Sequence, residues 1–268
     1  MAKFNRILIT GAAGALGTVL RENAQHLADT LRLTDIADMG EAKANEEIVQ
    51  ADLGDFNTVL EMTKNVDAVI HLGGMALENT FETILNANIR GFYNLYEACR
   101  QNGVKRIVFG SSNHAIGFYE REAMIDSFVP HRPDSLYGVS KAFGEDLARY
   151  YWDKFGIETL SIRIGSCFPE PLDRRMLATW LSYRDFIQLC DRGLNTTRVG
   201  FTVVYGVSAN RENFWNNQQA AFIGYQPQDS AEIYREKVEA NSSQPNPNDT
   251  AVVYCGGSFP AAGHFEDK

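Results

Sequence analysis

The sequence predicts a doubly wound α/β fold: a parallel sheet with helices on both faces and a small C-terminal cap. Three observations carry this. Short β-branched runs alternate with helix-spaced segments over the first 165 residues, the first run feeds a glycine-rich turn, and after Gly165 the texture becomes proline-containing and irregular. At 268 residues and 44% hydrophobic, the chain can bury a sizeable core and is too apolar to stay disordered. The expected organisation is a core over residues 1–165 with residues 166–268 as a cap built onto it, in one compact unit.

The elements follow in order. Residues 6–10 (RILIT) read as a strand and 15–27 as a helix. Residues 30–34 and 47–50 are the next strands, and 55–64 a helix opened by Asp55, a residue suited to capping. Residues 67–72 (DAVIHL) form a strand, 82–101 a helix, 106–110 a strand, 138–155 a long helix and 158–164 a strand. Beyond that, helices are expected over 174–191 and 230–240, and strands over 201–205 and 251–255.

Charge and cysteine usage exclude several functions. A net charge of -9 repels phosphate backbones, so nucleic acid is not an expected partner. No apolar run approaches the length of a membrane span. Lys3 and Arg6 precede an apolar stretch, as in a signal peptide, but a strand running into a glycine loop explains that stretch better. Four scattered cysteines without a CxxC pair, and five histidines without ligand spacing, indicate a reducing, cytoplasmic setting and no metal.

The turn TGAAGALG (residues 10–17) lies between a strand and a helix. Gly11, Gly14 and Gly17 would allow a tight turn and a close backbone approach to a pyrophosphate, with Ala15 and Leu16 at the helix N-terminus supplying N–H groups. A bare strand–helix turn also uses glycine, so the context decides. Asp35 closes the next strand 24 residues after Gly11. An acid there accepts from both ribose hydroxyls and repels a 2′-phosphate, which favours NAD over NADP in a Rossmann-type arrangement. Arg32 is not placed to clamp a phosphate. Asp52 could accept from the adenine amino group with Leu53 packing on the ring, or it could be a helix cap. Leu72, Gly73 and Gly74 end the fourth strand and would let the cofactor lie against the backbone. His71 is read as a core histidine.

Tyr137 and Lys141 stand four residues apart at a helix start, on one face. A tyrosine titrates near pH 10, so its use as a base at neutral pH needs about 4 kcal/mol of help. An adjacent ammonium supplies part of it. Ser112 follows the strand 106–110, at the carboxyl end of the sheet where ligands bind in such folds.

In TGAAGALG, Asp35, ADL (51–53), HLGG (71–74), NIRG (88–91), GSS (110–112) and YGVSK (137–141), the sequence resembles the extended short-chain dehydrogenase/reductase family. The resemblance implies that Tyr137 is the general base, that Lys141 binds the nicotinamide ribose and lowers the tyrosine pKa, and that Ser112 holds the reacting oxygen. Asn88 matches an asparagine near that family's active site, although a structural role in its helix fits equally. Self-association through helices 82–101 and 138–155 is also implied.

A closer resemblance is to the uronate dehydrogenases of that family. It runs through SSNHAIG (111–117), RPDSLYGVSK (132–141), RIGSCFPEP (163–171), RMLATW (175–180) and GGSF (256–259). It implies NAD-dependent oxidation of a hexuronic acid, glucuronate or galacturonate, at C1 to an aldarolactone. Arg175, not Arg174, would bind the carboxylate through its planar fork. Ser112, Asn113, His114, Tyr137 and Ser166 would contact the sugar, and Phe259 would close the pocket. One position departs: Ala76 stands where the family often has a serine. A sugar-nucleotide epimerase or dehydratase of the same fold is the alternative, but it usually needs more than the hundred or so C-terminal residues here. A non-catalytic NAD sensor would typically lack the tyrosine or the lysine.

Overall fold

A computed structural model describes residues 4–267. Seven parallel strands form one sheet in the order β3-β2-β1-β4-β5-β6-β9. They are β1 (Phe4–Thr10), β2 (Ala28–Asp35), β3 (Glu46–Gln50), β4 (Ala68–His71), β5 (Arg106–Ser112), β6 (Glu158–Ile164) and β9 (Phe201–Gly206). The order reverses between β1 and β4, the switch point at which doubly wound sheets bind ligands.

Strand alternation builds two cores. Ile7, Ile9, Val108 and Ile162 face one layer, with α1 (Ala15–Asn23) and α7 (Tyr183–Asn195). Leu8, Val69, Ile107 and Phe109 face the other, with α2 (Phe56–Met62), α4 (Gly91–Asn102) and α5 (Leu136–Phe155). Because β9 pairs with β6, the segment after residue 165 contributes a strand to the main sheet as well as the smaller elements beside it.

Several sequence expectations are corrected. The helix expected over 82–101 is α3 (Phe81–Ile84), a π-helical stretch (Leu85–Arg90) and α4. The π stretch carries Asn88, whose side chain is engaged on both sides, and such insertions are common near functional sites. The helix expected over 174–191 is broken. After α6 (Met176–Thr179) the chain extends as β8 (Trp180–Leu181) to pair with β7 (Ser166–Cys167), and Ser182 then caps α7 by accepting from Asp185 N. The helix expected over 230–240 starts as a 3₁₀ turn and becomes α8 (Arg235–Asn241). The strand expected over 251–255 is the short helix α9 (Thr250–Val253), followed by a single bridge from Tyr254 to Glu120. Here the Asp249 carbonyl accepts from Val252 N and Val253 N, and this local bonding overrides the β propensity of two adjacent valines.

Candidate active site

A cavity of about 940 Å³ opens at the carboxyl ends of the strands, bounded by Thr10, Asp35, Ser112 and Ile164 at the ends of β1, β2, β5 and β6. Gly11, Gly14, Ala15, Leu16, Gly17, Asp35, Asp52, Leu53, Leu72, Gly73 and Gly74 line one part of it. Ser112, Asn113, His114, Tyr137, Lys141, Ser166 and Arg175 line the other, and Ala76 is also in the wall.

The first part is built from backbone. Gly11 has φ +71, and a Cβ there would lie 2.7 Å from Gly73 N; a Cβ at Gly17 would lie 2.1 Å from Gly11 O. Only glycine lets the turn, the helix start and the end of β4 come this close. Helix α1 opens with no side-chain cap and no acid in its first turn, so its amides and positive dipole end are available to an anion. Asp35 accepts from Ala13 N and Ala37 N, both at 3.0 Å, which fixes the carboxylate at the rim. Asp52 accepts from Gly54 N at 2.8 Å, while the cap of α2 is Asp55. Arg32 is turned away, paired with Glu47 at 2.7 Å. His71 is buried against Phe92 and Phe109 and shares a 2.7 Å hydrogen bond with Thr10. Burial and the Lys141 charge push its pKa down to about 3, so it stays neutral.

The second part is built from side chains locked from behind. Lys141 is buried and donates to Gly110 O at 2.7 Å, and its ammonium lies 5.5 Å from the centre of the Tyr137 ring. Burial pulls the Lys141 pKa down to about 8 while Glu145 acts to raise it. Burial drives the Tyr137 phenol up to about 12, opposed by Ser112 and reinforced by the Asp134 charge. The free pocket therefore holds the tyrosine protonated, the reverse of the direction a base requires. The α5 amides of Leu136 and Tyr137 donate to the Glu78 carboxylate at 3.0 and 2.8 Å.

Sequence reasoning missed the groups behind this wall. Glu145 is nearly inaccessible and takes Arg163 through two parallel contacts (3.0 and 2.8 Å), Ser111 Oγ at 2.6 Å and His131 Nε2 at 2.8 Å. Burial alone would raise the Glu145 pKa, but the His131 hydrogen bond and the Arg163 charge hold it at about 2. One signal was available: Glu145 stands one helical turn past Lys141, on the same face. His114 is likewise fixed, with Nδ1 2.8 Å from the buried Asp134 carboxylate and its ring stacked 3.9 Å from Phe259.

Two expected site residues do not themselves line this cavity. Asn88 does not line the cavity: it accepts from Met75 N, donates to Met75 O and to Ser140 Oγ, and so pins the loop after Gly74 to α5. Phe259 lines a second cavity of about 730 Å³ that shares His114 and Arg175 with the first. Arg175 donates to Cys255 O (2.6 Å) and Ser166 Oγ (3.3 Å), and Asn113 bridges Arg175 and Ile164 O at 3.0 Å each. Arg174 faces away, toward Glu239 and the Ser242 carbonyl. Among the described residues no cluster of side chains could hold a metal ion.

Two glycine-shaped walls, an uncapped helix start, a rim carboxylate and a buried tyrosine–lysine pair define a dinucleotide-dependent oxidoreductase. Residues 7–182 match the NAD dependent epimerase/dehydratase family. The chain is 53% identical to a uronate dehydrogenase of Pseudomonas putida over 98% of both chains. Its fold matches the crystal structure of glucuronic acid dehydrogenase from Chromohalobacter salexigens with a TM-score of 0.97 at 55% identity, covering 98% of this chain and 99% of that one. It also matches a tyrosine-to-alanine variant of uronate dehydrogenase from Agrobacterium tumefaciens complexed with NAD, with a TM-score of 0.95 at 48% identity over 98% and 99% of the two chains. The chain belongs to the NAD dependent epimerase/dehydratase family and, within it, to the uronate dehydrogenases; it is an oxidoreductase whose cofactor is NAD.

Proposed function

We propose that the chain oxidises a hexuronic acid, D-glucuronate or D-galacturonate, at C1 of the cyclic sugar and releases the aldarolactone. The observation that carries this reading is the placement of Arg175. Its guanidinium lies in the same cavity wall as Tyr137 and Ser112, held on Cys255 O, Ser166 and Asn113, where it can meet a sugar carboxylate while C1 faces the tyrosine. The family relatives support the substrate class.

The residues would divide the work as follows. Gly11, Gly14, Ala15, Leu16 and Gly17 would seat the pyrophosphate, Asp35 the ribose hydroxyls, and Asp52 with Leu53 the adenine. Leu72, Gly73 and Gly74 would flank the cofactor, and Lys141 would hold the nicotinamide ribose. Bound NAD supplies the hydride acceptor. Tyr137 takes the proton of the C1 hydroxyl, and Ser112 holds that oxygen. Lys141 favours the phenolate by its charge, and Glu145 keeps Lys141 charged. His114, Asn113 and Ser166 bind sugar hydroxyls, and Phe259 closes the site over His114. Loss of hydride from C1 leaves a carbonyl next to the ring oxygen, which is a lactone.

Residues 166–268 act in this reading as a substrate cap, supplying Ser166, Arg175 and Phe259. The exposed Tyr93, Val139 and Tyr150 on α4 and α5 form the face through which copies of the chain would associate. All four cysteines are unpaired, which suits the cytoplasm. No helix is long and apolar enough to cross a membrane among the described residues. The test is a pair of variants. Arg175→Ala should raise KM for galacturonate by tenfold or more while KM for NAD stays put, and Arg174→Ala should leave both unchanged. The reverse pattern would move the carboxylate site to Arg174.

A further inference from the structure

The second cavity holds arginines of two kinds. Four arginines line it: Arg121, Arg174, Arg175 and Arg235. Two are neutralised on the spot, Arg235 by Glu212, Glu232 and Glu239 at 2.7 to 3.0 Å, and Arg174 by Glu239 at 3.5 Å. Neither Arg121 nor Arg175 forms an ion pair with a carboxylate among the described residues.

These two are held side by side. Arg121 donates through Nε to Tyr254 O (3.2 Å) and through a terminal nitrogen to Ala251 O (2.6 Å), and its guanidinium lies 4.9 Å over the Phe214 ring. Arg175 hangs on the next carbonyl along, Cys255 O. The backbone is shaped around it: at Gly257, φ is +69 and a Cβ would stand 2.8 Å from Arg175 Nε. The nearest acids are already engaged, Asp173 with Met176 N and Asp134 with His114 and Ser135. Burial and mutual repulsion lower the Arg175 pKa, and burial also lowers that of Arg121. Two fixed guanidiniums on successive carbonyls, with no partner anion, form a preorganised anion site.

We infer that Arg121 is the second half of the carboxylate site: Arg121 and Arg175 together grip the carboxylate of the sugar acid at the junction of the two cavities, and Arg121 sets the preference for the acid over the neutral sugar. This rests on the proposed hexuronate oxidation. A carboxylate suits the site because both guanidiniums keep terminal N–H donors that the carbonyls and side chains do not take up, and each carboxylate oxygen can accept from one of them.

Two experiments test it. Arg121→Gln should raise KM for galacturonate about tenfold, with KM for NAD unmoved, and Arg121→Lys should recover only part of the loss because an ammonium has no fork. An unchanged galacturonate KM in Arg121→Gln would overturn the inference. Because Arg121 also ties down residues 251–254, the same question is put to the unaltered enzyme with NADH bound. Phenylglyoxal modification, mapped by mass spectrometry, should be blocked at both Arg121 and Arg175 by galacturonate and at neither by galactose. Protection of Arg175 alone refutes the role of Arg121. Protection of neither, with no NAD reduction by galacturonate, instead sinks the hexuronate reading on which the inference stands.

Discussion

The two parts of the long cavity are made from different materials. The part near Gly11 and Asp35 is backbone: glycines in close contact, free helix amides and one rim carboxylate held by two amides. The part around Tyr137 and Lys141 is side chain, and several of its groups are anchored by a second group behind them: Lys141 by Gly110 O, Ser111 by Glu145, His114 by Asp134, Arg175 by Cys255 O. The difference fits the roles proposed for the two parts. Holding a pyrophosphate needs a row of donors that the chain already carries, whereas proton transfer needs particular side chains fixed to within fractions of an ångström. Substitution should therefore damage the two parts in distinct ways.

The largest effect is expected at the reacting proton. Tyr137→Phe should lower kcat by roughly 10²–10⁴-fold, the range for loss of a general base, with the Kd for NAD unchanged by fluorescence titration. Near-normal turnover would remove Tyr137 from the mechanism.

Next is the buried anchor. Glu145→Gln leaves Arg163 charged, buried and without its carboxylate, a loss of about 3–5 kcal/mol by denaturant unfolding. The pH dependence follows in sign. The Glu145 pKa in the folded chain, about 2, is below its unfolded value, so this stabilisation is complete above the unfolded pKa and disappears as pH falls from about 4.5 to 2. The unaltered protein should lose stability across that window more steeply than the variant; equal slopes would mean the ion pair is not what holds the wall.

The smallest effect is expected in the backbone part. Asp35→Ala should weaken NAD by about 2 kcal/mol, raising its KM some thirtyfold, and narrow the discrimination against NADP, without altering Tm by more than a degree or two. A large drop in Tm would show that Asp35 holds the loop through Ala13 and Ala37 more than it reads the ribose.

The same division explains what could be read from the sequence. The backbone part is local: TGAAGALG and HLGG are contiguous, and the conformations that glycine permits are written into the residues themselves. Tyr137 and Lys141 were legible for the same reason, as neighbours on one helix turn. Their anchors were not, because Glu145, Arg163, His131 and Ser111 meet only once β5, β6 and α5 are packed, and nothing in Arg163 alone distinguishes a buried partner from a solvated one. Asn88 matches by motif an asparagine near the family's active site, with a structural role fitting equally, and the contacts of the π-helical stretch with Met75 and Ser140 are of the structural kind. The segment 251–255 was misjudged because its valines favour a strand in isolation, while its actual partners are the Asp249 carbonyl and the loop at 117–120. Arg121 carried no motif, and it stands out as a candidate only because no carboxylate among the described residues forms an ion pair with it.

The most direct test of the central claim is NAD reduction by the purified protein with D-glucuronate, D-galacturonate, D-glucose and D-galactose at equal concentration, read at 340 nm. Rapid NADH formation with the two acids, at rates at least a hundredfold above the neutral sugars, is the predicted result. Glucose oxidised as fast as glucuronate would contradict a carboxylate-reading active site.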